Sequence, residues 1–285
     1  MTDLTAIILT KDEEKNIGKC IRSIKNFAKR IVVVDSGSTD KTVAIAKKLG
    51  ADVYVHPFEN YARQFNWGID NTDIKTKWTL RLDADERFPP ALCAELTKKM
   101  TAHENDSVNG FVLEAWLVFM GKRLVHGGSR KKKLMVFKTG IGRVEDRKMD
   151  EHTILSEGTS IEIKEKFIHY DFKDLTTYVK KLNWYATREM QDYFEDRFPD
   201  NSFDSSNKEI SSTRNKKTKY YKAPIFLRCW LYFFYAYFVK GNWRNGKEGF
   251  VYSFLYHLYY RILVDAKILE QMKYKKPFEI TGDLK

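Results

Sequence analysis

Cysteine is scarce in this chain: three residues in 285, Cys20, Cys93 and Cys229, each in an apolar context. So scattered a set excludes a disulfide framework and points to reduced, buried thiols in a cytosolic chain. The N-terminus enters a strand almost at once, so no signal peptide is expected. No internal repeat is evident. No glycine-rich phosphate loop follows the first apolar run, where residues 10–16 read TKDEEKN. That argues against a nucleotidyltransferase. There is no Gly-bounded RNA-binding motif and no zinc-knuckle spacing, and no second His or Cys is suitably placed to make His152 a zinc ligand. The apolar run at residues 223–239 (APIFLRCWLYFFYAYFV) is 17 residues long and is broken by Pro224 and Arg228. As a helix it would reach roughly 25 Å, short of a ~30 Å hydrocarbon core.

Positive charge, by contrast, is in excess. Lys and Arg number 50 against 38 Asp and Glu, a net charge of +12. Such a balance suggests nucleic acid first, but the missing motifs count against that partner. An anionic lipid surface or phosphate-bearing substrates would account for the charge equally well. A chain of this length, 43% hydrophobic, can bury a large core, as one large domain with an appendage.

The first hundred residues alternate strand and helix patterns. Residues 4–9 (LTAIIL) are an apolar run. Ile17, Cys20, Ile21 and Ile24 then recur at helical spacing. Residues 31–34 (IVVV) are a β-branched run, as expected of a parallel strand buried on both faces. They end in DSGSTD, where a tight Gly turn and a Ser/Thr cap are expected to start a helix over residues 41–49. Residues 51–55 and 78–82 read as further strands. This alternation predicts a parallel sheet with right-handed crossovers, whose ligands sit at the carboxyl ends of the strands. Thr10, Asp35 and the pair Asp83/Asp85 all fall at such ends. In WTLRLDADE (residues 78–86) the carboxylates stand at i and i+2 of an extended chain and are expected to share a face. Two carboxylates on one side suit Mg²⁺ or Mn²⁺, which takes its remaining ligands from waters and substrate phosphates. Aspartates at a strand end are also common as solvated turn formers.

Together LTAIILTKDEEKNI, IVVVDSGSTDKT and LRLDADE resemble the N-terminal half of family 2 glycosyltransferases of the GT-A fold. MDEH (residues 149–152) and GNWRNGKEGF (residues 241–250) continue the resemblance over most of the chain. The similarity is to bacterial enzymes that extend lipopolysaccharide core, O-antigen or capsule glycans. One departure is Asp12, where the family often has Asn; it weakens a role for Asp12 but not for Glu13. The resemblance implies an α/β, Rossmann-like, mostly parallel sheet flanked by helices, with a C-terminal helical, aromatic-rich, membrane-associating extension. It implies an inverting, metal-dependent transferase using a UDP- or dTDP-sugar donor and a lipid-linked or glycan acceptor. Such chemistry needs a base for the acceptor hydroxyl and a cation for the departing diphosphate. By resemblance Asp85 is the direct metal ligand, with Asp83 on the ribose or a metal-bound water. Asp35 accepts the N3–H of a uracil or thymine ring. Thr10 and Glu13 line the nucleotide pocket, and Arg63 and Gln64 reach the base or phosphate. Glu151 is the candidate base and Asp150 the alternative. His152 is a base on pKa grounds or, preferably, a hydrogen-bonding or phosphate-contacting residue. A nucleotidyltransferase, or a non-catalytic lipid- or nucleic-acid-binding module, are the competing functions. The second would leave the ordered series Asp35, Asp83/Asp85, Asp150/Glu151 without a reason.

The expected organisation is a nucleotide-sugar-binding half at 1–115 and an acceptor-binding half at 116–172. An amphipathic helix and basic linker follow at 173–222, then a membrane-associating helical region at 223–285. Residues 109–120 and 134–137 read as strands flanking GGSRKKK (residues 127–133), a loop in which Arg130 and Lys132 are candidate phosphate or acceptor contacts. A solvated basic loop is the plainer alternative. Residues 175–194 form an amphipathic helix pattern and residues 198–219 a linker. Of 41 aromatic residues, 17 lie between Tyr220 and Tyr260. Tyr and Trp favour the membrane interface, and each cation of the basic stretch at 208–222 would add about 1 kcal/mol near an anionic leaflet. Helices lying in that interface are expected of residues 223–239 and 250–264, on the inner face of the cell membrane, although ordinary core packing would also use such aromatics.

Overall fold

The computed structural model describes residues 1–127, 132–145, 152–195 and 219–274. The chain divides into two units: Met1–Leu117 with Arg130–Asp171, and Val118–Ser129 with Phe172–Lys285.

The first unit is built on β1 (Thr2–Thr10), β2 (Ala28–Asp35), β3 (Asp52–Val55), β4 (Trp78–Asp83), β5 (Glu86–Arg87), β6 (Val108–Phe119, whose last two residues open the second unit), β8 (Lys132–Lys138) and β11 (Thr159–His169); β7 (Lys122–Leu124) belongs to the second unit. Their order across the sheet is β3-β2-β1-β4-β8-β6-β11-β5. The half from β3 to β4 is parallel. Because strands that bury both faces need apolar residues at every position, successive residues of β1 serve two cores. Leu4, Ala6 and Ile8 pack with Ile17, Cys20, Ile21 and Ile24 of α1 (Ile17–Ile24) and with Leu92, Leu96 and Met100 of α4 (Pro90–Ala102). Ile7, with Val32 and Val34, packs on the other face against Ala62 and Phe65 of α3 (Tyr61–Asn71). The sheet register sets Thr10 opposite Asp35 and Leu9 opposite Asp83, so the polar ends of β1, β2 and β4 are level.

Beyond β4 the sheet is mixed. β8 runs antiparallel to β4 and β6, β11 parallel to β6, and β5 antiparallel to β11. Only Ala84 and Asp85 separate β4 from β5 along the chain, so the path β4-β8-β6-β11-β5 curls back to where it began. His169 thereby pairs with Glu86, next to the D-x-D turn. A small hairpin of β9 (Gly142–Val144) and β10 (Thr153–Leu155) completes the unit. Two sequence expectations change in detail. Lys132 and Lys133 lie in a strand rather than a loop. The helix after DSGSTD, α2 (Thr42–Lys48), has no Ser/Thr cap; Asp40 Oδ1 accepts the Thr42 N–H at 2.9 Å instead.

The second unit is helical and aromatic. After α5 (Leu175–Glu195) come helix Leu227–Phe234, continued by a π-helical stretch Tyr235–Val239, a 3-10 turn Asn242–Asn245, helix Gly246–Tyr252, a second π-helical stretch Ser253–Tyr259, and helix Tyr260–Tyr274. The charges that interrupt its apolar runs are core ion pairs. Arg228 Nε lies 3.0 and 3.1 Å from the carboxylate oxygens of fully buried Asp265, which also accepts the Phe226 N–H at 2.8 Å. Arg261 Nη1 meets Glu189 of α5 at 2.7 Å, and the Tyr221 and Tyr260 hydroxyls donate to the same carboxylate. A buried charge is tolerable when paired and hydrogen-bonded in this way. Among the described residues no helix is long and apolar enough to cross a membrane. The GNWRNGKEGF motif is a turn that locks this unit. Buried Asn242 donates to Ser253 and accepts from Asn245, whose side chain in turn bonds Val125 N and His126 O at 3.1 Å. Gly249 is required there, because a Cβ would sit 2.4 Å from the Asn242 carbonyl oxygen.

Candidate active site

The level ends of β1 and β2 form the first part of a polar cluster. The Asp35 carboxylate is almost fully buried and closes its own turn. Oδ2 accepts the Gly37 and Ser38 N–H groups at 2.9 and 2.8 Å, and Oδ1 accepts the Ser38 hydroxyl. Gly37, at φ +82°, supplies the left-handed residue that the turn requires. Oδ2 is thereby saturated, and Oδ1 keeps one further lone pair. Buried Gln64, from α3, ties this loop to the end of β3, donating to Ser36 Oγ at 3.1 Å and to the His56 carbonyl at 3.0 Å. Its oxygen meets His56 Nδ1 at 2.8 Å, and the His56 ring stacks on Trp67. Thr10 ends β1 with a buried hydroxyl that has no hydrogen-bond partner. Glu13 accepts from Asn16 Nδ2 at 2.8 Å, and its N–H donates to Thr42 Oγ1. Arg63 lies on the exposed side of α3, paired with Glu59.

The second part is a charge cluster around Asp83. Its Oδ1 accepts the Tyr61 hydroxyl at 2.5 Å and its Oδ2 lies 3.2 Å from Lys133 Nζ. Tyr61 in turn accepts from Arg81 Nε at 2.9 Å, with the guanidinium over its ring. Lys133 also holds fully buried Glu86 at 2.8 Å, and Glu86 Oε2 accepts the Asp83 N–H. Burial opposes the charge on Asp83, but Lys133, then Arg81, Tyr61 and His169, outweigh it and hold the carboxyl well below the usual range. Burial likewise opposes the Lys133 ammonium, and Glu86 and Asp83 overcome it, pushing its pKa up.

The third part is Asp85 in the turn after β4. Its Oδ2 lies 3.3 Å from His169 Nε2, and ligand atoms of Asp85, His169 and Asp171 all come within 4.8 Å of one another. Burial disfavours the charged imidazole, but Asp85 and then Asp171 reverse the shift and raise the His169 pKa. The two aspartates of D-x-D therefore have different partners: Asp83 faces Lys133 and Tyr61, Asp85 faces His169. The alternation expected of a strand stops at Asp83, because Asp85 is already in a turn.

The acceptor-side candidates separate. Lys132 pairs with Glu162 at 2.5 Å, while Lys133, pointing to the opposite face of β8, enters the cluster. Glu145 and His152 are joined by the Glu145 N–H donating to the His152 carbonyl at 3.0 Å, and the His152 N–H donates to Glu145 Oε1. Thr153, next in sequence, accepts from Arg81 Nη1 at 3.1 Å. Arg130, Asp150 and Glu151 lie outside the described residues, as do residues 198–218 of the expected linker.

Comparison with known proteins identifies the family. Residues 5–145 match the family described as Glycosyl transferase family 2. The matched segment is a family 2 glycosyltransferase domain. Over 289 residues this glycosyltransferase is 26% identical to an uncharacterized glycosyltransferase of Rickettsia felis, covering 95% of this chain and 91% of that protein. It is 26% identical over 275 residues to the lipopolysaccharide core biosynthesis glycosyltransferase LpsC of Rhizobium meliloti, covering 94% and 92%. Among solved structures, glucosyl-3-phosphoglycerate synthase of Mycobacterium tuberculosis, in complex with Mn²⁺, UDP and glucosyl-3-phosphoglycerate, matches with a TM-score of 0.32 at 19% identity. That match covers 40% of this chain and 44% of the synthase, so the glycosyltransferase spans under half the length of that structure. The sheet and its flanking helices are the α/β architecture expected of the family, and an enzyme replaces the non-catalytic module and the nucleotidyltransferase as the reading of the site.

Tyr61, Arg81, Glu86, His169 and Asp171 were not singled out from the sequence. Buried Arg81 within the run WTLRLD was the available signal, since a cation in a buried strand needs a partner. His169 and Asp171 had none, being brought to Asp85 only by the pairing of β11 with β5.

Proposed function

We propose that this glycosyltransferase moves a sugar, with inversion, from a UDP- or dTDP-sugar to a lipid-linked or lipopolysaccharide- or capsule-type glycan acceptor, at the inner face of the bacterial cell membrane. The observation that carries the proposal is the convergence of Asp85, His169 and Asp171 beside the strand ends that bear Thr10, Asp35 and Asp83. Two carboxylates and an imidazole fit Mn²⁺, and Mg²⁺ less closely because it prefers an all-oxygen shell. A divalent cation held there would neutralise charge on the departing nucleoside diphosphate. Asp83, kept ionised by Lys133, stands outside the Asp85, His169 and Asp171 group and is suited to accept from a ribose hydroxyl. Asp35 retains one lone pair, on Oδ1, for a pyrimidine N3–H. The similarity to LpsC supports an acceptor of the lipopolysaccharide-core type.

The test is release of nucleoside diphosphate from a panel of nucleotide sugars, in Mn²⁺ and in EDTA, with thermal shift as the binding readout. Turnover that needs the metal and is confined to uridine or thymidine diphosphosugars is the expected result. Equal turnover in EDTA, or no thermal shift with any nucleotide sugar, would overturn it. Thr10→Val bears on the same pocket. Removing a buried hydroxyl that lacks a partner is expected to leave the melting temperature unchanged or raise it, by up to ~1 kcal/mol in stability. If that hydroxyl meets the nucleotide, donor affinity falls several-fold in the same variant; unchanged donor affinity assigns Thr10 to packing.

A further inference from the structure

We propose that the second unit docks on an anionic lipid bilayer through one face of residues 227–254, which names the surface for the membrane location proposed above. Leu227, Leu231, Phe234 and Phe238, with Trp230, recur at spacings of three and four and are 46–57% exposed, while Cys229, Phe233 and Ala236 on the same helical run are core. Phe250 and Phe254, one turn apart on the neighbouring helix, are exposed as well. The two stripes are contiguous: Phe234 stacks on Phe238, Phe238 and Phe250 each meet the Tyr237 ring, and Phe250 stacks on Phe254. Soluble monomers rarely expose an apolar patch of this extent.

The turn between the two helices decides the occupant. It presents Lys240, Trp243, Arg244 and Lys247 to solvent. Lys240 lies over the Tyr235 ring and Arg244 over the Trp243 ring, and among the described residues no carboxylate forms an ion pair with any of the three cations. The nearby acid, Glu248, is taken by Lys122. Exposed cations beside a stripe of Trp, Phe and Leu match an anionic headgroup layer over an acyl boundary, with Trp at the depth it favours. A second copy is a poorer occupant, because a two-fold dimer would set the same three cations against themselves.

The test uses the full chain with vesicles of phosphatidylcholine alone or mixed with phosphatidylglycerol, and with no donor, acceptor or metal present. It therefore succeeds or fails independently of the proposed reaction. The parent is expected to sediment with the anionic vesicles and to release with salt. Leu231→Ser/Phe234→Ser/Phe238→Ser, all at exposed positions, should lose at least about tenfold in partitioning while keeping the parent melting curve. Lys240→Gln/Arg244→Gln/Lys247→Gln should lose about fivefold per cation and most of the salt dependence. Brominated acyl chains should quench Trp230 and Trp243, assigned by Trp→Phe variants. Parent-like binding by both multiple variants would overturn the proposal. So would a parent that ignores vesicles but forms a dimer abolished by the triple Ser variant, which would make a second copy the occupant.

Discussion

Asp85→Ala is expected to remove metal-dependent donor turnover, by on the order of 10²–10³-fold, and to leave the fold intact. The fold should survive because the main chain, not the carboxylate, holds this turn. The Asp85 carbonyl accepts the Tyr170 N–H at 2.9 Å, and Arg87 braces the turn through the Ala84 carbonyl at 2.8 Å. Neither contact depends on the side chain that is removed. The chemistry should not survive, because Asp85 is the one D-x-D carboxylate facing His169 and Asp171. Titration of Mn²⁺ followed by electron paramagnetic resonance separates binding from catalysis. Asp85→Ala should bind the ion at least tenfold more weakly, and His169→Ala should do so to a comparable degree. Asp83→Asn should not, since Asp83 is engaged by Lys133 and Tyr61; its defect should appear in donor affinity instead. Near-normal transfer by Asp85→Ala with Mn²⁺ still required would refute the ligand assignment. Weak Mn²⁺ binding in Asp83→Asn would return Asp83 to the metal shell.

What the sequence made legible follows from the range of the interactions involved. IVVV and LTAIIL are buried on both faces, so their composition alone marks them as central parallel strands, and the residues after them fall at the strand ends. Thr10 and Asp35 were found in this way, each from its own neighbours. The partner of Asp85 was not, because His169 is drawn in by the pairing of a two-residue strand with the end of a distant one, Glu86 opposite His169 and Arg87 opposite Ile168. Lys133 was hidden for another reason. In GGSRKKK four cations look alike, and only the start of β8 at Lys132 decides that Lys133 turns inward to Asp83 and Glu86 while Lys132 turns outward to Glu162. The same ambiguity runs through the C-terminal third. Arg228 looked like a break in an interfacial helix. It is the buried half of an ion pair whose acid, Asp265, lies 37 residues away, and half-buried Arg261 pairs with Glu189, 72 residues away. The aromatics therefore divide between two faces of the same helices: core on the Cys229 face, exposed on the Leu231 face.

Glu151→Gln carries the other large effect. Glutamine keeps the shape and hydrogen-bonding capacity of the side chain but cannot take up a proton at neutral pH. If Glu151 is the base, kcat should fall by about 10²-fold or more, the usual scale for loss of a general base. The donor KM should barely move, because the proposed reaction gives the nucleotide to Asp35 and the cation to Asp85. Such a split marks an interaction made in the transition state rather than in binding. The assignment rests on family resemblance and on where the flanking residues are fixed. Glu145 and His152 are tied main chain to main chain, and Thr153 receives Arg81, which reaches Asp83 through Tyr61. His152, the first described residue after Glu151, thus stands one residue from the polar network that leads to D-x-D. Asp150→Asn is the necessary companion. A severe loss there beside a mild one in Glu151→Gln would move the role to Asp150. Mild losses in both would place the base elsewhere. His152→Gln, assayed with them, should change kcat little if its part is to hold the Glu145 turn; a pH–rate profile that loses a limb only in this variant would make the imidazole the base.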